Sequence, residues 1–107
     1  MPAMYQTNIT LANIFLTMAE ILQKEEANPF RIRAYRRAAS TLAGLNEDIE
    51  DVARRGDMNT LAHIGKDLAG KIQEYLDTGT IRAYDDLKSP LPSFTKQWLQ
   101  LPGLSEP

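Results

Sequence analysis

One segment constrains the fold of this chain more than any other: residues 61–72, with the sequence LAHIGKDLAGKI. Gly65 precedes a run in which Leu68 and Ile72 recur at the spacing of a helix face, and Gly79 marks the end of that helix. A turn that feeds a helix in this way leaves the backbone N–H groups of about Gly65 to Leu68 without partners inside the helix. The segment therefore predicts a preformed phosphate site at a helix N-terminus.

A second segment, residues 28–39 with the sequence NPFRIRAYRRAA, predicts another helix. Asn28 as the N-cap and Pro29 at the first helical position form a strong start signal. No acidic residue lies in this segment, and three of its arginines share one face at positions i, i+3 and i+4. We name them the arginine face: Arg33, Arg36 and Arg37. They predict a second phosphate contact, with a merely solvated helix surface as the alternative.

The other segments also have helical patterns, and no strand pattern occurs. We expect Asn8 to cap a first helix, Asn46 to cap a short third helix that Gly56 ends, and Thr80 to begin a short fifth helix. Phe94 and Trp98 are expected to close the core. Two apolar stripes are expected to form that core: Leu11, Phe15, Met18 and Leu22 in the first helix, and Phe30, Ala34, Ala38 and Leu42 in the second, with Tyr35 beside them.

The composition sets limits on the class of protein. A chain of 107 residues with 43% apolar and 24% charged residues is expected to form one domain, residues 1–107. Cysteine is absent and His63 is the single histidine, which argues against disulfides and against a zinc site. The net charge of −2 disfavours broad, charge-driven binding to nucleic acid. No apolar run is long enough to span a membrane, and no signal peptide is visible, so a cytoplasmic protein without membrane contact is expected.

Taken in this order and at this distance, the two segments resemble the N-terminal domain of bacterial and archaeal family X DNA polymerases. They are more distantly similar to the lyase domain of DNA polymerase beta. The resemblance runs from about Asn8 to Gly103, and its hairpin core is hydrophobic-Gly-hydrophobic-Gly, with His63 in place of the first glycine. Histidine tolerates a left-handed backbone better than most residues. The resemblance implies an all-α fold, a small orthogonal bundle of short helices with one helix-hairpin-helix motif at residues 61–79.

The function that the resemblance implies is sequence-independent binding of DNA at gaps, nicks or 5′-phosphate ends during repair. Backbone groups of the hairpin and side chains of the arginine face would contact phosphates. Residues 99–107 look like a truncated start of a second hairpin, and no polymerase domain follows, so no polymerase activity is expected. Besides the arginine face, the DNA-binding residues carried over by the resemblance are Ile64, Gly65, Lys66, Asp67, Leu68 and Arg82.

The resemblance also raises an alternative, 5′-deoxyribose phosphate lyase chemistry. Lys71 matches the lysine that forms a Schiff base with the sugar, and Tyr35 matches a supporting tyrosine. That reaction needs a neutral amine, whereas Asp67 four residues earlier favours an ion pair that keeps the lysine charged. A solvated lysine without catalytic function is therefore the expected state of Lys71. A helical module that binds a protein partner instead of DNA is the third alternative.

No cofactor is expected to be required. By resemblance, main-chain carbonyls of the hairpin would coordinate a monovalent cation, K⁺ or Na⁺, that bridges to a DNA phosphate. The three carbonyls belong to Asn59, Leu61 and Ile64.

Overall fold

Five α-helices make up most of the chain in the computed structural model, which describes residues 5–89. No strand occurs within this range, and the expected all-α class is confirmed. The positions of Phe94 and Trp98 and the segment 99–107 lie outside the described residues. The helices are α1 (Gln6–Lys24), α2 (Pro29–Ala43), α3 (Ile49–Arg54), α4 (Lys66–Thr78) and α5 (Arg82–Lys88), with a short 3₁₀ helix at Met58–Thr60 before α4.

The core forms mainly between α1 and α2, which contact each other more extensively than any other pair of described helices. Asn28 caps α2 as expected, because its Oδ1 accepts the N–H of Phe30 at 2.8 Å, and Pro29 occupies the first helical position. The apolar stripe expected for α1 is confirmed, and Ile72 of α4 and Ile81, the residue before α5, join the same core. The four stripe residues are at most 2% exposed: Leu11, Phe15, Met18 and Leu22.

The buried face of α2 differs from the expected one. Ala38 and Leu42 are buried, but Ala34 is exposed and Phe30 is 74% exposed. Tyr35 takes the centre of the buried face, where its ring packs edge-on against Phe15 with ring centroids 5.6 Å apart. This contact turns the stripe of Phe30 and Ala34 toward solvent. The residues that α2 buries are Ile32, Tyr35, Ala38, Ala39 and Leu42.

The sequence predicted that Asn8 caps α1. Instead, Asn8 lies inside the helix and is 2% exposed. Its Nδ2 donates to the carbonyl of Glu47 at 2.8 Å, and its Oδ1 accepts the N–H of Ile49 at 2.8 Å. One buried side chain thus satisfies a donor and an acceptor at the start of α3 and joins the first helix to the third.

The start of α3 differs from expectation, whereas Gly56 follows its C-terminal end in the left-handed conformation, as expected. Asp48 rather than Asn46 is the N-cap, since its Oδ1 accepts the N–H of Glu50 at 2.9 Å. The helix ends at Arg54 with Arg55 as the C-cap, and Gly56 follows in the loop with φ +79°. Arg55 reaches back to Glu47 at 2.7 Å, and this hydrogen-bonded guanidinium lowers the pKa of the Glu47 carboxyl below its ordinary value.

The start of α5 is Arg82 rather than Thr80 because α4 supplies its partner. The N–H of Arg82 donates to Oε2 of Glu74 at 2.8 Å. Gly79 ends α4 as expected, in the left-handed conformation with φ +84°.

Candidate nucleic-acid interface

The large apolar side chains of the hairpin at residues 61–72 are buried or half-buried. Ile64 and Leu68 are each 6% exposed, and Ile72 is fully buried. These residues therefore help to form the core, and contact with a ligand is left to their main-chain groups. Lys66 and Asp67, between them in sequence, are exposed.

The first turn of α4 presents four N–H groups that nothing in the described residues accepts. The first helical hydrogen bond runs from the N–H of Ala69 to the carbonyl of Gly65 at 2.9 Å. Gly65 is the N-cap and has no side chain to cap the helix. The N–H groups of Gly65 to Leu68 thus point beyond the helix start, together with the positive end of the helix dipole. This arrangement suits a phosphate oxygen.

The backbone turn before the helix depends on His63. Its φ of +62° is left-handed, as the sequence predicted for this position, and only one other described non-glycine residue, Glu26, shares such a value. The turn is held from the side by α2, where the Thr41 hydroxyl donates to the carbonyl of Ala62 at 2.9 Å. His63, which the resemblance aligns with a glycine of the hairpin motif, thus has a left-handed backbone in a turn that α2 holds in place.

Gly65 has an ordinary backbone conformation and open space around it. Its φ of −80° and ψ of −178° are extended values that any residue adopts. A Cβ placed on Gly65 would meet no described atom within 4 Å. The described chain thus leaves open space beside the Gly65 backbone, and glycine is also a favoured residue at a helix N-cap.

The arginine face is divided between two neighbourhoods. The Arg36 guanidinium donates a hydrogen bond to Gln23 of α1, and the Arg33 guanidinium lies 5.2 Å from the centre of the Phe30 ring. Arg37 has no hydrogen-bond or ion-pair partner among the described residues. It lies one turn before Thr41 on the same stripe of α2, so of the three arginines it belongs to the hairpin side.

An open cleft of about 570 Å³ lies between the end of α1 and the start of α2. Arg33 and Arg36 line it on one side, and Glu26 and Ile32 contribute a carboxylate and an apolar wall. Phe30, exposed beside this cleft, was missed by the sequence analysis, which placed it in the core. No local signal marks its outward position, because the rotation of α2 on α1 decides which face is buried.

The two residues carried over for lyase chemistry are both largely covered. The Lys71 side chain is 16% exposed, and its Nζ donates to both Asp67 oxygens at 3.0 Å. The predicted ion pair is confirmed, although the lysine is less solvated than expected. Tyr35 is 1% exposed, and its hydroxyl has neither solvent contact nor a hydrogen-bond partner in the described residues. The expectation of a wet hydroxyl at the core edge was wrong.

The structure does not bring Arg82 to the hairpin. It follows the C-terminal end of α4, a helix of 13 residues and therefore about 20 Å long, while Gly65 precedes the other end. Three carboxylates share a surface depression with Arg82: Glu74, Asp85 and Asp86. This neighbourhood is unfavourable for a phosphate.

The hairpin carbonyls expected to hold a monovalent cation are partly used within the chain. The Leu61 carbonyl accepts the N–H of Ile64 at 3.4 Å, whereas no described donor reaches the carbonyls of Asn59 and Ile64. Among residues 5–89, no group of three or more His, Asp or Glu side chains is placed to hold a metal ion. Within the same range, no helix is long and apolar enough to cross a bilayer.

Comparison with known proteins agrees with this geometry. A family model described as a helix-hairpin-helix domain matches residues 6–81, which include the hairpin, the arginine face and the core pair of α1 and α2. The chain belongs to this helix-hairpin-helix family. It is also 34% identical over 88 residues to the N-terminal region of the DNA polymerase/3′-5′ exonuclease PolX of Bacillus subtilis (strain 168).

That alignment covers 82% of this chain and 15% of PolX, so the chain spans less than a fifth of this relative's length. The similarity to an N-terminal domain of a family X DNA polymerase is thereby confirmed.

Proposed function

We propose that this chain is a DNA-binding module that contacts phosphates without reading sequence and prefers gaps, nicks or 5′-phosphate ends in DNA repair. The family match and the similarity to a DNA polymerase support DNA binding in general. The observation that carries the proposal is the start of α4, where four N–H groups have no acceptor in the described residues and the backbone at Gly65 is open to an outside group.

Two separate phosphate contacts, one at the hairpin and one at the cleft, would explain a preference for gapped or nicked DNA. The hairpin offers backbone donors at one end of α2, and the cleft with Arg33 and Arg36 lies toward the other end. Thr41 and Phe30 are eleven residues apart on α2, which corresponds to about 16 Å along a helix axis. One phosphate at the hairpin and a 5′-phosphate at the cleft would suit DNA with an interrupted strand. In this proposal a K⁺ or Na⁺ ion at the hairpin carbonyls assists the first contact, and no other cofactor takes part.

The first experiment is fluorescence anisotropy of a short duplex carrying a gap with a 5′-phosphate, titrated at several salt concentrations. We expect binding that weakens as salt is raised, because phosphate contacts release counterions. Loss of the 5′-phosphate should weaken binding to the gap. Absence of binding even at low salt would overturn the proposal and favour the alternative of a module that binds a protein partner.

Arg37→Ala is expected to weaken binding to the gapped duplex about three- to tenfold and to reduce the salt slope by about 1, as loss of one phosphate contact does. Arg54→Ala is the matched control, because it removes the same charge from an exposed arginine of α3. Equal losses in the two variants would show that only net charge matters and that the arginine face has no special part.

Phe30→Ala is expected to reduce affinity for DNA with an unpaired base in the gap about tenfold, within the range known for loss of one base–aromatic stack. The exposed ring carries a guanidinium on one side, which leaves the other side to a base. Binding to intact duplex should change less than twofold, because its bases are stacked on each other and are not free to stack on Phe30. Leu16→Ala is the control, since Leu16 is the other large exposed apolar residue of the described range. A uniform loss on all DNA structures would contradict a stacking role.

The geometry does not favour the lyase alternative. Both Asp67 oxygens bind the Lys71 ammonium, and the Tyr35 hydroxyl is enclosed. Borohydride trapping on a 5′-deoxyribose phosphate substrate tests this directly. We expect no trapped adduct, and an adduct that disappears in Lys71→Ala would reinstate the lyase function.

A further inference from the structure

Asp67 is held in an unusual position for an acidic residue at the start of a helix. It is the second residue of α4, where a carboxylate ordinarily folds back onto first-turn N–H groups and is stabilised by the helix dipole. Here it accepts no backbone N–H. Both of its oxygens accept from Lys71 Nζ, each at 3.0 Å, one turn further along the helix.

The Lys71 side chain is restrained by packing, whereas the Asp67 side chain is not. The Lys71 side chain is 16% exposed and the Asp67 side chain 80% exposed. A lysine whose alkyl chain is buried has few rotamers left, so its ammonium stays where packing puts it. An exposed carboxylate has no such restraint. The ion pair therefore draws Asp67 to Lys71 and away from the helix end.

We infer that Lys71 is a positioning residue for phosphate binding, which acts by keeping the Asp67 carboxylate off the N–H groups of residues 65–68. This inference rests on the proposed function, because it assigns those N–H groups to a DNA phosphate. In the absence of the lysine, the Asp67 carboxylate accepts from first-turn N–H groups of its own helix, occupies the donors that the phosphate needs and repels the phosphate. The ion pair thus keeps an anion site open beside an acidic residue.

A double-mutant cycle separates this role from direct contact between Lys71 and DNA. The variants are Lys71→Met, Asp67→Asn and the two combined, measured on the gapped duplex at one salt concentration. We expect Lys71→Met to weaken binding about tenfold, a change of the size that N-cap competition produces. Asp67→Asn should bind at least as tightly as the parent, and the double variant should lie within about twofold of Asp67→Asn, since additivity fails only for coupled residues.

Two further variants control for charge and for geometry. Lys71→Arg can still hold Asp67 and should keep most of the affinity. Lys88→Met removes the same charge from α5, where Lys88 pairs with Asp85 at 3.7 Å, and should have less effect than Lys71→Met. If the loss caused by Lys71→Met persists in the Asp67→Asn background, Lys71 contacts DNA itself and the inference is wrong.

A measurement without DNA keeps the inference testable if the proposed function fails. Amide hydrogen exchange of residues 66–68 should slow in Lys71→Met, because the released carboxylate now accepts these N–H groups. The double variant should exchange at the rate of Asp67→Asn. Unchanged exchange in Lys71→Met overturns the inference, whereas slowed exchange in a chain that fails to bind DNA overturns only the proposed function.

Discussion

Gly65→Val is expected to fold like the parent chain and to lose at least tenfold in affinity for gapped DNA, a loss of about 1.4 kcal/mol or more in binding free energy. The backbone at Gly65 is extended and a Cβ there meets nothing within 4 Å, so the fold has room at this position, and loss of the glycine N-cap is expected to cost about 1 kcal/mol of stability. The same side chain would project over the N–H groups of the first turn of α4 and hold a phosphate away from them. Anisotropy on the gapped duplex and thermal unfolding measure the two effects separately.

Gly70→Ala provides the matched control for this variant. Gly70 lies inside α4, and a Cβ there also meets no described atom within 4 Å. Alanine at this position should stabilise the chain by about 0.5–1 kcal/mol through helix propensity. DNA affinity should change far less than in Gly65→Val. If Gly65→Val binds as tightly as the parent, the backbone of the hairpin does not contact phosphate.

Asn8→Ala is expected to destabilise the chain by about 2–4 kcal/mol, because it leaves the buried N–H of Ile49 and the carbonyl of Glu47 without partners. For a chain of this size the melting temperature should fall by about 10–25 °C. Differential scanning calorimetry or circular dichroism would detect the change. The size of the effect follows from burial, since Asn8 is 2% exposed and water cannot replace it.

Asn13→Ala separates this effect from simple loss of an asparagine. Asn13 also lies in α1, but it is exposed, and its substitution should change stability by less than about 0.5 kcal/mol. Equal melting temperatures for the two variants would contradict the role assigned to Asn8 in joining α1 to α3.

Much of the hairpin could be predicted from local sequence because its determinants are local. The left-handed backbone at His63, the open N–H groups after Gly65 and the end of α4 at Gly79 follow from residue types within a few positions of each other. The ion pair of Asp67 and Lys71 likewise follows from a spacing of four residues on one helix. Such features need no knowledge of the rest of the chain.

The outward position of Phe30 and the inward position of Asn8 could not be predicted in this way. Both are decided by partners far along the chain: Tyr35 turns α2 against Phe15 of α1, and Asn8 binds a segment about forty residues away. An apolar stripe indicates a helix but does not determine how far the helix rotates on its neighbour. An asparagine before an apolar run is as suitable for a cap as for a buried bridge.

The sequence by itself thus determined the helices, the hairpin and the positions where phosphate donors would lie, because backbone propensity and short-range hydrogen bonds act within one turn or two. Only the tertiary structure decided which side chains are exposed beside the hairpin and the cleft. The packing of α1 on α2 exposes Phe30, draws Arg36 to Gln23 and encloses the Tyr35 hydroxyl. It also holds the hairpin through Thr41. These contacts join distant parts of the chain, and their geometry is set by the shape of the whole core.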